Sequence, residues 1–290
     1  MTIAPQSLLP ALIAAALLAS PAAAHPGSGI VADSQGQIYF LDTGDGVWQL
    51  DTHGVLTKLP GPKFHWMAID ADNRFAKTPM PSGSGWEIAR TGANPTLLLA
   101  SDFPLTIVQD GNLVYPSSAG ARAVQIMTLD PAGKTSVLAK LAVPWVNGLA
   151  GGPDGSVYVT EDRAIRKIDT QGRVVTVVAG VKVDGCASIP GSEAEAGPNL
   201  RGLDVDAQGT IFVAASGCGS VLKVSSDGKV STLLQLQAPW SPTAIVEVGG
   251  DLYVLEYLHT ATDNRREWVP RIRKISADGK GAIVATVSRS

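Results

Sequence analysis

Between Arg201 and Val230 the chain reads RGLDVDAQGTIFVAASGCGSVLKVSSDGKV. Its apolar positions gather into short runs, Leu203–Val205, Ile211–Ala214 and Val221–Val224, with a further run over Ser231–Leu234. Asp206-Ala207-Gln208-Gly209 and Ser226-Asp227-Gly228-Lys229 interrupt the pattern with the Asp and Gly chemistry of tight hairpin turns. Runs this short, bounded by turn residues, predict strands rather than helices. The stretch therefore predicts a four-stranded antiparallel meander.

The same grammar returns along the chain, punctuated by Ser34-Gln35-Gly36, Asp51-Thr52-His53-Gly54, Asp130-Pro131-Ala132-Gly133, Asp169-Thr170-Gln171-Gly172 and Ala277-Asp278-Gly279. In the second unit Met67–Asp70 is expected as the first strand. Trp86–Ala89, followed by the turn Arg90-Thr91-Gly92-Ala93, is expected as its third, after a second-to-third loop at Pro79–Gly85. A period of roughly 40 residues with no helical stretches between units is that of propeller blades. The expected fold is all-β, a six-bladed β-propeller of four-stranded antiparallel blades, as a single domain over residues 25–290. Ala282–Val287 completes the sixth blade, so no strand from the N-terminus is needed to close the ring.

Residues 1–24 break the pattern. They carry no Asp, Glu, Lys or Arg, have an apolar centre at Leu8–Leu18, and end in Ala22-Ala23-Ala24. This predicts a secretory signal peptide cut after Ala24 and a periplasmic or secreted product. No later stretch is long and apolar enough to span a membrane. With 17% charged residues, a net charge of -3 and no basic run, the chain is not expected to bind nucleic acid. It is expected as a monomer. Its two cysteines, Cys186 and Cys218, predict a disulfide in an exported chain. Two ligands of a metal are the alternative, though no further Cys or His stands nearby in sequence.

The segments HPGSGIVADSQGQIYFLDTGDGVWQL, NGLAGGPDGSVYVTEDRAIRKI, RGLDVDAQGTIFVAASGCGSVLKV and PTAIVEVGGDLYVLEY resemble those of NHL-repeat propellers and of the regucalcin/gluconolactonase-like (senescence-marker) family. The resemblance spans nearly the whole mature chain and implies the propeller fold. That fold hosts lactonases, lyases, receptors and scaffolds, so it does not fix the function.

Chain direction places first-strand starts, second-strand ends and all long loops on one face, the top. Ser28, His65, Asn147, Arg201 and Thr243 fall at first-strand starts, where the third unit offers only Pro104 or Leu105; Asp42, Glu161 and Glu256 fall at second-strand ends. These polar residues are expected around a central mouth that takes a small molecule or a glycan. Arg201 could clamp a carboxylate or phosphate, or form a structural ion pair with Glu161 or Glu256. His25, His65 and His259, with Glu256, could bind a divalent metal such as zinc, calcium or copper, or could act separately. Glu256 or His65 would then serve as base. Trp66, Trp145 and Trp240 could stack on a ligand or belong to the core. In the resembled enzymes Glu, Asn and Asp at first-strand starts hold a divalent cation. Here Asn147 matches, whereas Ser28 and Arg201 depart. Two expectations follow, a metal-dependent hydrolase or lyase and a non-catalytic binding propeller.

Overall fold

The computed structural model describes residues 26–78, 87–91, 96–186, 197–258 and 268–288; residues 1–24, where a signal peptide is expected, and Pro79–Gly85, His25 and His259 lie outside them. The first sheet contains β1 (Ile30–Ala32), β2 (Ile38–Asp42), β3 (Gly46–Leu50) and β4 (Leu56–Leu59). The second contains β5 (Trp66–Asp70), β6 (Glu87–Thr91) and β7 (Thr96–Ser101). β8 (Thr106–Ile107), β9 (Leu113–Ser118), β10 (Val124–Leu129) and β11 (Thr135–Leu141) form the third. β12 (Gly148–Gly151), β13 (Val157–Thr160), β14 (Ile165–Ile168) and β15 (Val174–Val178) form the fourth. The fifth holds β16 (Leu200–Val205), β17 (Ile211–Ala215), β18 (Ser220–Val224) and β19 (Val230–Gln235). The last holds β20 (Trp240–Val248), β21 (Asp251–Leu258), β22 (Pro270–Ile275) and β23 (Gly281–Thr286).

Five of these sheets are four-stranded antiparallel meanders, and the second has three strands among the described residues. The first strand of each sheet touches that of the next, and β1 touches β20, so the sheets close on themselves as a propeller. Among the described residues the sixth sheet runs β20-β21-β22-β23, with β23 as its outer strand as expected.

The turns form because the Asp side chain replaces missing ladder bonds. Asp33 Oδ1 accepts from the backbone N–H groups of Gln35 and Gln37, while its carbonyl accepts from Gly36. Asp51, Asp169 and Asp206 repeat that arrangement two, three and four residues on. The third residue after each Asp is a glycine with φ between 79° and 85° (Gly36, Gly54, Gly172 and Gly209), a conformation that disfavours any side chain.

The core is divided among the seams between blades. One cluster joins Tyr39, Leu41 and Val47 to Met67, Leu98 and Ala100, and another joins Val114 and Ile126 to Leu149 and Val159. The seam that closes the ring packs Ile30, Ile38 and Phe40 against Leu255, Tyr257 and Ile272. Polar links cross the seams too: Tyr257 Oη donates to the Leu41 carbonyl at 2.6 Å, and Ser241 Oγ to the Ser216 carbonyl at 2.6 Å. Near the axis, first strands approach so closely that a Cβ on Gly148 would stand 2.6 Å from the Arg201 carbonyl oxygen.

The second blade departs from the expected meander. Its strand order is β5-β7-β6, so the last strand in sequence occupies the middle and the Glu87–Thr91 strand the outside. Burial explains the exchange. Leu97, Leu98, Leu99 and Ala100 are all at most 2% exposed, facing seams on both sides. Outer strands such as β15 and β19 are largely exposed, so a continuous apolar run is unsuited to that position.

Candidate functional site

The exchange in blade two brings Asp102, just beyond the end of β7, beside His65. His65 Nδ1 lies 2.8 Å from Asp102 Oδ1, with the imidazole buried and the carboxylate 58% exposed. His65 is further positioned by its backbone, whose N–H donates to the Ser101 carbonyl and whose carbonyl accepts from Ser28 N–H at 2.7 Å. Sequence reasoning missed Asp102 because its reading of the second unit stopped at the turn Arg90–Ala93 and assigned no strand to residues 96–101. The uniformly apolar Leu97–Ala100 run was the signal that could have placed a strand there.

Pro26–Ser28 is buried and reaches across the mouth. The Pro26 carbonyl accepts from Arg201 Nη2 of the fifth blade at 2.8 Å. Ser28 N–H bonds the second blade, and a Cβ on Gly27 would meet Tyr257 Oη of the sixth at 3.3 Å and Thr43 of the first at 3.1 Å. The hydroxyls of Ser28 and Thr43 are buried with no hydrogen-bond partner among the described residues.

The remaining sequence-nominated residues are engaged separately. Arg201 is only 7% exposed and pairs with neither Glu161 nor Glu256. Glu161 pairs with Arg166 Nε at 2.5 Å, which raises the Arg166 pKa. Asn147 Nδ2 donates to Asp162 Oδ1 at 2.9 Å. Asp42 Oδ1 accepts from Gly44 N–H, and Thr243 Oγ1 reaches the Leu255 carbonyl at 3.4 Å. Glu256 is fully buried and sits between two cations, its oxygens each 2.6 Å from Arg271 Nε and Arg273 Nε. A carboxylate held in this way is an anion on which two guanidiniums of the scaffold rest. Of the tryptophans, Trp66 joins a seam cluster, Trp240 stacks under Arg271, and Trp145 is 56% exposed.

Cys186 and Cys218 are joined by a disulfide with Cα atoms 4.6 Å apart. For a bridge spanning 32 residues this contributes about 2–4 kcal/mol. Among the described residues no three His, Cys, Asp or Glu side chains stand together to hold a metal ion. His25 and His259 lie outside those residues, so the three-histidine arrangement cannot be built from them. The cation site of the resembled enzymes does not fit the residues at the first-strand starts. Asn147 keeps the matching residue type, with its Nδ2 on Asp162, but Ser28 offers only a hydroxyl and Arg201 would repel a cation.

No family model matches the chain, and no curated protein does. Solved structures share its shape. Regucalcin from Agrobacterium tumefaciens, a calcium-binding protein, is 15% identical over 83% of this chain and 85% of that one, with a TM-score of 0.54. A luciferin-regenerating enzyme is 16% identical over 85% of this chain and 91% of that one, at 0.55. Virginiamycin B lyase from Staphylococcus aureus is 13% identical over 91% and 85%, at 0.51. The chain thus shares a β-propeller fold with regucalcin and virginiamycin B lyase, at identities that speak for the fold alone.

Proposed function

We propose that this chain is an exported, monomeric propeller of six blades, the three-stranded sheet being one of them. It works by binding a small anionic or carbohydrate-like ligand on its top face, without a metal-dependent hydrolytic centre. One observation carries this reading. Arg201, which occupies a first-strand position where the resembled enzymes place a cation ligand, is buried and gives Nη2 to the Pro26 carbonyl. The polar groups nominated for catalysis likewise bind their own chain. Exposed Trp145 offers a stacking surface on the same face, close in sequence to Asn147.

A thermal-shift screen of sugar acids, neutral sugars and simple lactones, each with EDTA and with added calcium or zinc, tests the reading. The expected result is saturable, EDTA-insensitive binding without turnover, weakened by Trp145→Ala. Turnover of a lactone that requires a divalent cation would contradict it.

A second reading rests on the His65–Asp102 pair. Asp102 on Nδ1 selects the tautomer that leaves Nε2 as the basic nitrogen, the arrangement of a general base in a hydrolase or lyase. Under this reading Asp102→Asn would lower kcat by at least tenfold with little change in KM. Equal turnover in the variant and the parent would rule it out.

A further inference from the structure

We propose an oxyanion-binding site in the groove between the fifth and sixth blades, formed by the link from β19 to β20 and the start of β22; it gives a location to the anionic ligand of the reading above without depending on Trp145. The groove has a volume of 610 Å3 and is lined by residues from Leu234 through Trp240 together with Arg271 and Arg273. That volume suits a small molecule rather than a single water.

Its charge is unbalanced. Two guanidinium groups share one carboxylate, and among the described residues no other Asp or Glu lines the groove. Both arginines are largely buried, with side chains 16% and 18% exposed, and Glu256 is wholly buried beneath them. One positive charge is left in a partly desolvated cleft, where an anion gains more than at an open surface. Each arginine uses its Nε on Glu256, and neither gives an Nη to another group among the described residues.

The guanidiniums are also held in place. Arg271 lies over the Trp240 ring, 3.5 Å from its centroid, and stacking engages a face of the guanidinium while leaving its N–H edge for a ligand. The arginines alternate on β22, so both side chains emerge on one face of the strand opposite Glu256. Gln235 fixes the facing wall, donating to the Cys218 carbonyl at 2.8 Å and accepting from Ser220 Oγ at 2.7 Å. Fixed, planar, forked donors with surplus positive charge match the oxygens of a phosphate, sulfate or carboxylate group.

The test is calorimetric titration of the mature protein with inorganic phosphate and sulfate at constant ionic strength, with chloride as control. Glycerol phosphate and gluconate form further arms. Tighter binding of these two than of phosphate identifies the site as holding the anionic group of a larger molecule, whereas tighter phosphate identifies the free ion. Arg273→Gln should weaken phosphate at least tenfold. Glu256→Gln removes the competing carboxylate and should tighten phosphate severalfold. A purely structural salt bridge would not move the two affinities in opposite directions. Arg273→Lys, which keeps the charge and loses the fork, should fall between the parent and Arg273→Gln. No saturable binding to the parent, unchanged affinity in Arg273→Gln, or no tightening in Glu256→Gln would each overturn the proposal.

Discussion

The mouth of the ring and the groove between the fifth and sixth blades use arginine in different ways. In the mouth, one buried guanidinium meets a backbone carbonyl of the chain's own Pro26–Ser28 segment. In the groove, two guanidiniums meet one carboxylate, and both arginines line the cleft. A site is marked less by the presence of charged residues than by charge that the fold does not itself answer. By that measure Arg201 is part of the scaffold, while the groove keeps a positive charge that the described residues do not answer.

The largest expected effect comes from removing the anion of the groove. Glu256→Ala leaves two nearly buried cations facing each other and should cost about 3–5 kcal/mol, read from urea unfolding. Little destabilisation would mean that the arginines are already solvated, which would weaken the contrast. Next is the disulfide, because Cys218 also provides the carbonyl on which the Gln235 side chain rests. The double substitution Cys186→Ala and Cys218→Ala should cost about 2–4 kcal/mol. It should also weaken phosphate binding in the groove while leaving the His65–Asp102 pair unaffected.

A smaller effect is pH-dependent and lies on the same seam. Burial pushes the Asp204 carboxyl up to about 6, although the residue keeps some surface exposure, and N–H bonds from Glu247 and Val205 oppose the rise. A carboxyl with a raised folded-state pKa contributes stability that is fully present below about 4 and lost as pH rises through about 6. Wild type should therefore gain about 2–3 kcal/mol relative to Asp204→Asn between pH 7 and pH 4. Parallel stability curves for the two proteins would show that Asp204 is not buried as a strut across the seam.

The fold was legible because each blade repeats a local code. Asp at the turn, glycine three residues later and short apolar runs specify hairpins without long-range information. The second blade escaped that code. Its middle strand is chosen by burial on both faces, a property of Leu97–Ala100 that becomes decisive only once neighbouring blades are in place. With no strand assigned there, Asp102 could not be recognised as the partner of His65. The groove was partly legible, since Arg271 and Arg273 alternate on one strand and so must share a face. Their meeting with Glu256 depends on strand register, and the bond from Arg201 to Pro26 spans 175 residues. Neither is encoded in any local motif.

The central claim is that Arg201 belongs to the scaffold of the mouth, and unfolding of Arg201→Met in urea tests it most directly. The account predicts a loss of about 1.5–3 kcal/mol, the worth of a buried charge-assisted hydrogen bond. Unchanged stability would contradict it, because a guanidinium held only for a ligand can be removed without cost to the fold.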